Sequence, residues 1–184
     1  MMARQDAGVL PPWANVYVAV AGAATAVPQE DLEMAEQVGR SLGQAGVTLV
    51  CGGLGGAMEA ACRGAFSAGG TTVGILPGDD RRAANRWVTV AVATGLGEAR
   101  NALVVSAADA LIAVGGEHGT LSEIALALKL AKPVVGVRTW RFDRDWQIAT
   151  GSAHASDPIE RAGDAASAVA MVLDAIERSR TAAR

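Results

Sequence analysis

At 184 residues, 51% hydrophobic but only 4% aromatic, the chain suits one domain with a substantial core better than an aromatic-rich β-sandwich. A net charge of −3 and a pI near 5.4 argue against a surface built for nucleic-acid phosphates, and no nucleic-acid partner is expected. Glycines and charges interrupt every apolar run before the ~20 residues of a membrane span, so no membrane partner is expected and the protein reads as cytoplasmic.

Residues 1–14 lack the long apolar stretch and cleavage site of a secretory leader and read as a tail. Strand candidates then follow in order: NVYVAVAG (15–22), VTLVCG (47–52), TTVGILP (71–77), WVTVAVAT (87–94), ALIAVG (110–115) and PVVGVR (133–138). Most are continuously apolar rather than alternating, as parallel strands covered on both faces are. Between the first two, the segment 28–46 opens on Pro28 and three nearby acids and closes on Gly46, which are helix start and stop signals. A final helix carries Val169, Val172, Leu173 and Ile176 at i, i+3, i+4 and i+7. The expected architecture is one doubly wound α/β domain over residues 15–178, a Rossmann-like parallel sheet of six to seven strands, with 179–184 as a C-terminal tail.

Such sheets bind ligands beyond the carboxyl ends of their strands. Three loops leaving strand candidates are glycine-rich: AGAAT (21–25), CGGLGGAMEA (51–60) and GGEHGT (115–120). Backbone N–H groups in a glycine turn that feeds a helix can approach an anion, and the helix dipole adds attraction. The common nucleotide signatures are missing. Met58 stands where G-x-G-x-x-G requires its third glycine, no acid closes the second strand, and GGEHGT lacks the Lys-Ser/Thr ending of a P-loop. A small phosphorylated molecule is the ligand these loops fit best. Gly22, Gly52, Gly53, Gly55 and Gly56 are candidate nucleotide-binding positions, while Gly115, Gly116, Gly119 and Thr120 are candidate phosphate-binding ones. At Gly119 a Cβ is expected to obstruct close approach or a positive φ. Cys51 and Cys62 have no metal-ligand spacing and read as reduced core thiols, so no metal and no resident cofactor are expected.

At ~100° per residue, Leu121, Ile124, Ala125 and Leu128 form one apolar stripe, expected against the sheet. Glu123 lies nearly opposite, beside a second stripe of Leu126, Ala127 and Leu130. A helix apolar on two sides is buried on two sides, and a second subunit is the expected partner, giving a homodimer or higher homo-oligomer.

GGEHGTLSE (115–123) resembles the Pro-Gly-Gly-x-Gly-Thr-x-x-Glu motif of the LOG family, the cytokinin-activating nucleoside 5′-monophosphate phosphoribohydrolases, formerly labelled possible lysine decarboxylases. The resemblance spans residues 15 to 175, includes ADALIAVGG, GEARN and CGGLGGAMEA, and is nearer a bacterial side branch with molybdenum-cofactor carrier proteins and the Rossmann-like domain of Smf proteins. It implies that Gly115, Gly116, Gly119 and Thr120 grip a 5′-phosphate, and that Arg100 and Glu123 act at the N-glycosidic bond. Val114 replaces the motif proline, and Gly97, Glu98, Ala99 and Asn101 depart from the Met-His-Glu-Arg-Lys pattern around Arg100. From the residues alone, an ion pair with Glu98 is the other role for Arg100. His118 and Glu117 read as surface, Glu59 as a first-turn acid, and Asp109 as a brace for the strand entering the motif.

The decarboxylase label fails on its lysine. Pyridoxal phosphate needs a Schiff-base lysine, and the chain has only Lys129 and Lys132. Both lie toward the far end of the helix that GGEHGT begins, and at ~1.5 Å rise per residue Lys129 starts roughly 13 Å from Thr120. The expected function is hydrolysis of a nucleoside 5′-monophosphate to free base and ribose 5-phosphate. The alternative is a non-catalytic carrier or sensor of a nucleotide or molybdenum cofactor.

Overall fold

The computed structural model describes residue 13, residues 15–142 and residues 157–182. Seven parallel strands form one sheet: β1 (Tyr17–Gly22), β2 (Thr48–Cys51), β3 (Thr72–Leu76), β4 (Val90–Ala93), β5 (Ala110–Val114), β6 (Val134–Val137) and β7 (Glu160–Arg161). Their order is β4-β3-β2-β1-β5-β6-β7, so the chain winds outward from β1, returns, and continues on the other side of β1 from β5. All six long apolar runs are strands. The short seventh is polar, and registers on β6 by pairing Val135 with Glu160.

Among the described residues five helices cover the two faces: α1 (Gln29–Gln44), α2 (Ala57–Ser67), α3 (Asn101–Ala107), α4 (His118–Lys129) and α5 (Ala165–Ala182). Strand side chains alternate between the faces. Val18, Val20, Ile112 and Val114 therefore pack with Val38 and Leu42 of α1, Ala61 and Cys62 of α2, and Val172 and Ile176 of α5. Ala19, Ala21, Leu111 and Ala113 meet Val104 and Val105 of α3 and Ile124 and Ala127 of α4. Helices α1 and α2 touch backbone to backbone, because a Cβ on Gly39 would collide with the Ala61 carbonyl and one on Gly64 with that of Glu36.

Two boundaries differ from the sequence reading. Trp13, assigned to the N-terminal tail, packs against the core, and the rest of that segment lies outside the described residues. Helix α5 runs to Ala182, past residue 178, because polar pairs prolong it beyond its apolar stripe: Ser179 Oγ donates to the Ala175 carbonyl and Arg178 pairs with Glu160.

Candidate functional site

Strands β2, β1 and β5 are adjacent and parallel, so the loops leaving their carboxyl ends share one edge. They also touch. Ala57 N–H donates to the Ala23 carbonyl at 3.0 Å, and a Cβ on Gly22 would lie 2.6 Å from that of Ala57 and 3.0 Å from the Val114 carbonyl. Gly22 is thus a packing glycine between the three loops. Gly53 and Gly56 have φ of +73° and +64°, a left-handed conformation that side chains resist. Asn85 fastens this loop from outside, donating through Nδ2 to the Leu54 carbonyl at 2.9 Å. A Cβ on Gly55 would make ordinary contact with the Ala24 carbonyl at 3.5 Å, with Glu59 Oε2 at 4.0 Å.

The third loop meets the N-terminus of α4. Gly115 and Gly116 have φ of +55° and +120°, and each has a side chain folded over it: Asp31 on Gly115, Thr120 on Gly116. Gly119 differs from expectation. It sits within the first turn of α4, without a positive φ and with nothing within 4 Å of its would-be Cβ, so the backbone itself does not demand glycine there. His118 and Glu117 are exposed at the helix start.

Glu123 also departs from the helical-wheel reading. The buried residues of α4 are Thr120, Glu123, Ile124 and Ala127, whereas Leu121, Ala125 and Leu128 are half-buried and Leu130 is exposed. The wheel was rotated by roughly one residue because the apolar residues surround the helix, and the arginine that pairs with Glu123 turns its face inward. Arg100 ends a 3-10 turn (Gly97–Arg100) and lays its guanidinium over Gly52, where a Cβ would come within 2.6 Å of Nη2. Its Nη1 stands 3.6 Å from Glu123 Oε1, with the two side chains 7% and 8% exposed. Burial pushes the Glu123 carboxyl up to about 7, against the pull of Arg100, and Glu98 pushes the same way. Arg100 therefore pairs with Glu123 rather than with Glu98.

A chain of hydrogen bonds absent from the sequence reading extends from this pair. Arg100 Nη1 donates to Asn101 Oδ1 at 2.6 Å, Asn101 Nδ2 to Ser122 Oγ at 2.8 Å, and Ser122 Oγ to the Gly119 carbonyl at 2.8 Å. Two polar atoms at this edge, Arg100 Nε and Thr120 Oγ1, are buried with no hydrogen-bond partner among the described residues. Such atoms are costly to leave unmet.

The model of the SLOG cluster4 family matches residues 15–169. The chain belongs to this family. A molybdenum cofactor binding protein from Rippkaea orientalis is similar at 34% identity, with a TM-score of 0.77 over 88% of this chain and 97% of that one. The molybdenum cofactor carrier protein of Chlamydomonas reinhardtii is similar at 34% identity and a TM-score of 0.75, over 88% and 98% of the two chains. An uncharacterized protein of Archaeoglobus fulgidus is 44% identical over 110 residues, covering 60% of this chain and 72% of that one. The SLOG cluster4 fold is thus the Rossmann-like single domain of the molybdenum-cofactor carriers.

Other residues of this SLOG cluster4 chain find structural roles. Lys132 Nζ donates to the carbonyls of Val105, Ser106 and Ala108, closing the end of α3. Asp109 braces β1 against β5: Oδ2 accepts from Tyr17 N–H at 2.9 Å while its own N–H donates to the Tyr17 carbonyl. Cys51 and Cys62 place their sulfurs 3.5 Å apart in the core, and this contact together with burial holds the Cys51 thiol well above its ordinary value, the environment of a packed thiol. Among the described residues no group of three acids, cysteines or histidines could hold a metal, and no helix is long and apolar enough to cross a membrane. Asp31, Arg138, Asn101 and Ser122 were missed in the sequence. Asp31 passes for an ordinary first-turn acid of α1, and its burial against Gly115 and its 2.8 Å bond from Arg138 Nε arise only from the strand order.

Proposed function

We propose that this chain binds a phosphate-bearing small molecule at the N-terminus of α4, and that this molecule is a cargo of the molybdenum-cofactor class. The observation that carries the reading is the pair of buried, unpartnered polar atoms, Thr120 Oγ1 and Arg100 Nε, beside the loop that leaves β5. Molybdopterin is a phosphomonoester, and its phosphate suits the positive end of α4, where Gly119 is exposed with open space around it. Arg100 supplies the fixed positive charge. The names of the similar structures, a molybdenum cofactor binding protein and a carrier protein, support the same class of cargo. Protein purified from cells that make the cofactor is expected to carry molybdenum by mass spectrometry and pterin by fluorescence after oxidation. Neither element nor pterin, with no uptake of added cofactor, overturns the reading.

The state of Glu123 favours a second reading, hydrolysis of a nucleoside 5′-monophosphate. Water adds to the sugar C1′, the bond to the base breaks, and the base leaves with the electron pair and a proton, giving free base and ribose 5-phosphate. The transition state carries positive charge on the sugar. A carboxyl that titrates at about 7 exchanges a proton near neutrality, so Glu123 can take one from water or face the sugar cation, while Arg100 anchors phosphate or ribose hydroxyls. A panel of nucleoside monophosphates assayed for released base tests this directly. Cofactor binding without base release assigns the protein to the carriers.

A further inference from the structure

We propose that Asn101 is a positioning residue: it holds the Arg100 guanidinium off Glu123 and ties it to the first turn of α4. The proposal rests on the binding site above only for its effect on ligand.

Hydrogen-bond chemistry fixes the direction of the chain. Arginine has donors and no acceptor, so the oxygen of the Asn101 amide must face Nη1, as it does at 2.6 Å. The amide nitrogen is then left to donate, and Ser122 Oγ must accept it; the serine hydroxyl hydrogen goes on to the Gly119 carbonyl. Only an amide at 101 satisfies both neighbours. A lysine, which the LOG pattern places here, would offer only donors to a guanidinium.

The consequence is a balance. Arg100 Nη1 has one near acceptor, Asn101 Oδ1, and one more distant partner, Glu123 Oε1 at 3.6 Å. Gly52 leaves the guanidinium room to lie flat, with no side chain to hold it. If the amide is removed, nothing opposes closure of the gap to Glu123. The charged and titratable groups facing Glu123 are Arg100 and Glu98 from the 3-10 turn and the neutral Cys51 thiol from β2. Of these, Arg100 alone favours the carboxylate. Its distance therefore sets where Glu123 titrates.

The test reads Glu123 without any ligand, by carboxyl carbon NMR over a pH series. Asn101→Ala is expected to let Arg100 close on Glu123 and lower its midpoint by about one pH unit. Asn101→Asp is expected to draw Arg100 away and raise the midpoint by a similar amount. The fall in Asn101→Ala is what a merely structural role does not produce, since a carboxylate at 101 adds repulsion of its own to the rise in Asn101→Asp. Ser122→Ala, which frees the far end of the amide, moves the midpoint in the alanine direction by less, and it serves if Asn101→Ala does not fold. Calorimetry with AMP and with inorganic phosphate is expected to show about a tenfold loss of affinity for both in Asn101→Ala, because Arg100 is the positive charge that faces the phosphate. An unmoved midpoint in folded Asn101→Ala, or shifts of the same sign in both variants, overturns the proposal. A wild type that binds neither AMP nor the cofactor overturns the binding reading instead, while the midpoints still decide the role of Asn101.

Discussion

Glu123 sits 3.6 Å from the Arg100 guanidinium and still titrates near neutrality. An exposed pair at that distance would keep the carboxylate charged at pH 5. Here burial outweighs the attraction, because both side chains are more than nine-tenths covered and Arg100 is engaged elsewhere.

Stability should therefore depend on pH through Glu123. Its folded-state value of about 7 stands above the ordinary 4.5, so the folded chain retains a proton that the unfolded chain releases between those values. The favourable contribution is complete below pH 4.5 and lost as pH rises through 7. The full difference is worth at most about 3 kcal/mol. Glu123→Gln, which imitates the neutral acid, should match wild type in urea unfolding at pH 4.5 and exceed it by about 1–3 kcal/mol at pH 8. An advantage that does not grow with pH would show that Glu123 is not the titrating group.

Arg100→Lys should not rescue Arg100→Ala. A lysine offers one compact charge, and it cannot meet Asn101 and Glu123 with the planar fork that lies over Gly52. Both variants are expected to weaken AMP or cofactor binding at least tenfold in calorimetry, or about 1.4 kcal/mol. Wild-type affinity in Arg100→Lys would reduce Arg100 to a simple charge.

Two glycines of the third loop should respond differently. Gly116→Ala places a side chain at φ of +120° against Thr120 and is expected to destabilise by about 1–3 kcal/mol. Gly119→Ala has a helical position and open space, so its stability should stay within about 0.5 kcal/mol of wild type or rise. Any effect of Gly119→Ala on phosphate affinity then reports on ligand approach alone. Thermal melts and phosphate calorimetry separate the two.

Lys132→Met removes three hydrogen bonds at the end of α3 and is expected to lower stability by about 1–3 kcal/mol. Borohydride treatment with pyridoxal phosphate should leave no specific adduct on Lys132 in the folded protein. A stoichiometric adduct there would reopen the decarboxylase assignment.

The outer side of α4 bears on assembly. Leu130, the residue that follows α4, is 48% exposed and Leu103 of the neighbouring α3 is 42% exposed, so leucines stand uncovered on this pair of helices. Burying a leucine contributes about 1.5–3 kcal/mol, and a symmetric pair doubles the gain. Light scattering is expected to give at least a dimer, and Leu130→Arg with Leu103→Arg to give monomers. A monomeric wild type would leave these leucines without a partner of this chain.

The sheet was legible in the sequence because parallel strands buried on both faces read as unbroken apolar runs, and 15–22 or 110–115 can be little else. The candidate site was legible where residues are tied to a local motif: the glycines after β5, with Thr120 and Glu123, stand together at the start of α4. What stayed hidden depends on which strands become neighbours. The wheel placed Glu123 away from the core because it weighed apolar residues alone, and an acid with a buried arginine partner breaks that rule. Asn101 looked like an absent lysine until Ser122 stood beside it. Gly119 belonged to a motif, yet its neighbours show that motif glycines need not share one cause.

The strand order has a consequence for how this site comes into being. Gly52, which supports the guanidinium, follows β2, whereas Glu123 follows β5, and β1 lies between those strands. A chain with only β1 to β4 in place would own the cradle without the acid. If the proposed site binds its ligand, competence to bind is a property of the completed winding, and a ligand held there would work as a rivet through the seam at β1. At a hundred times its dissociation constant it would add about 2.7 kcal/mol against the two flanks parting. Hydrogen exchange should show that protection rising together on β2 and β5, strands that never touch.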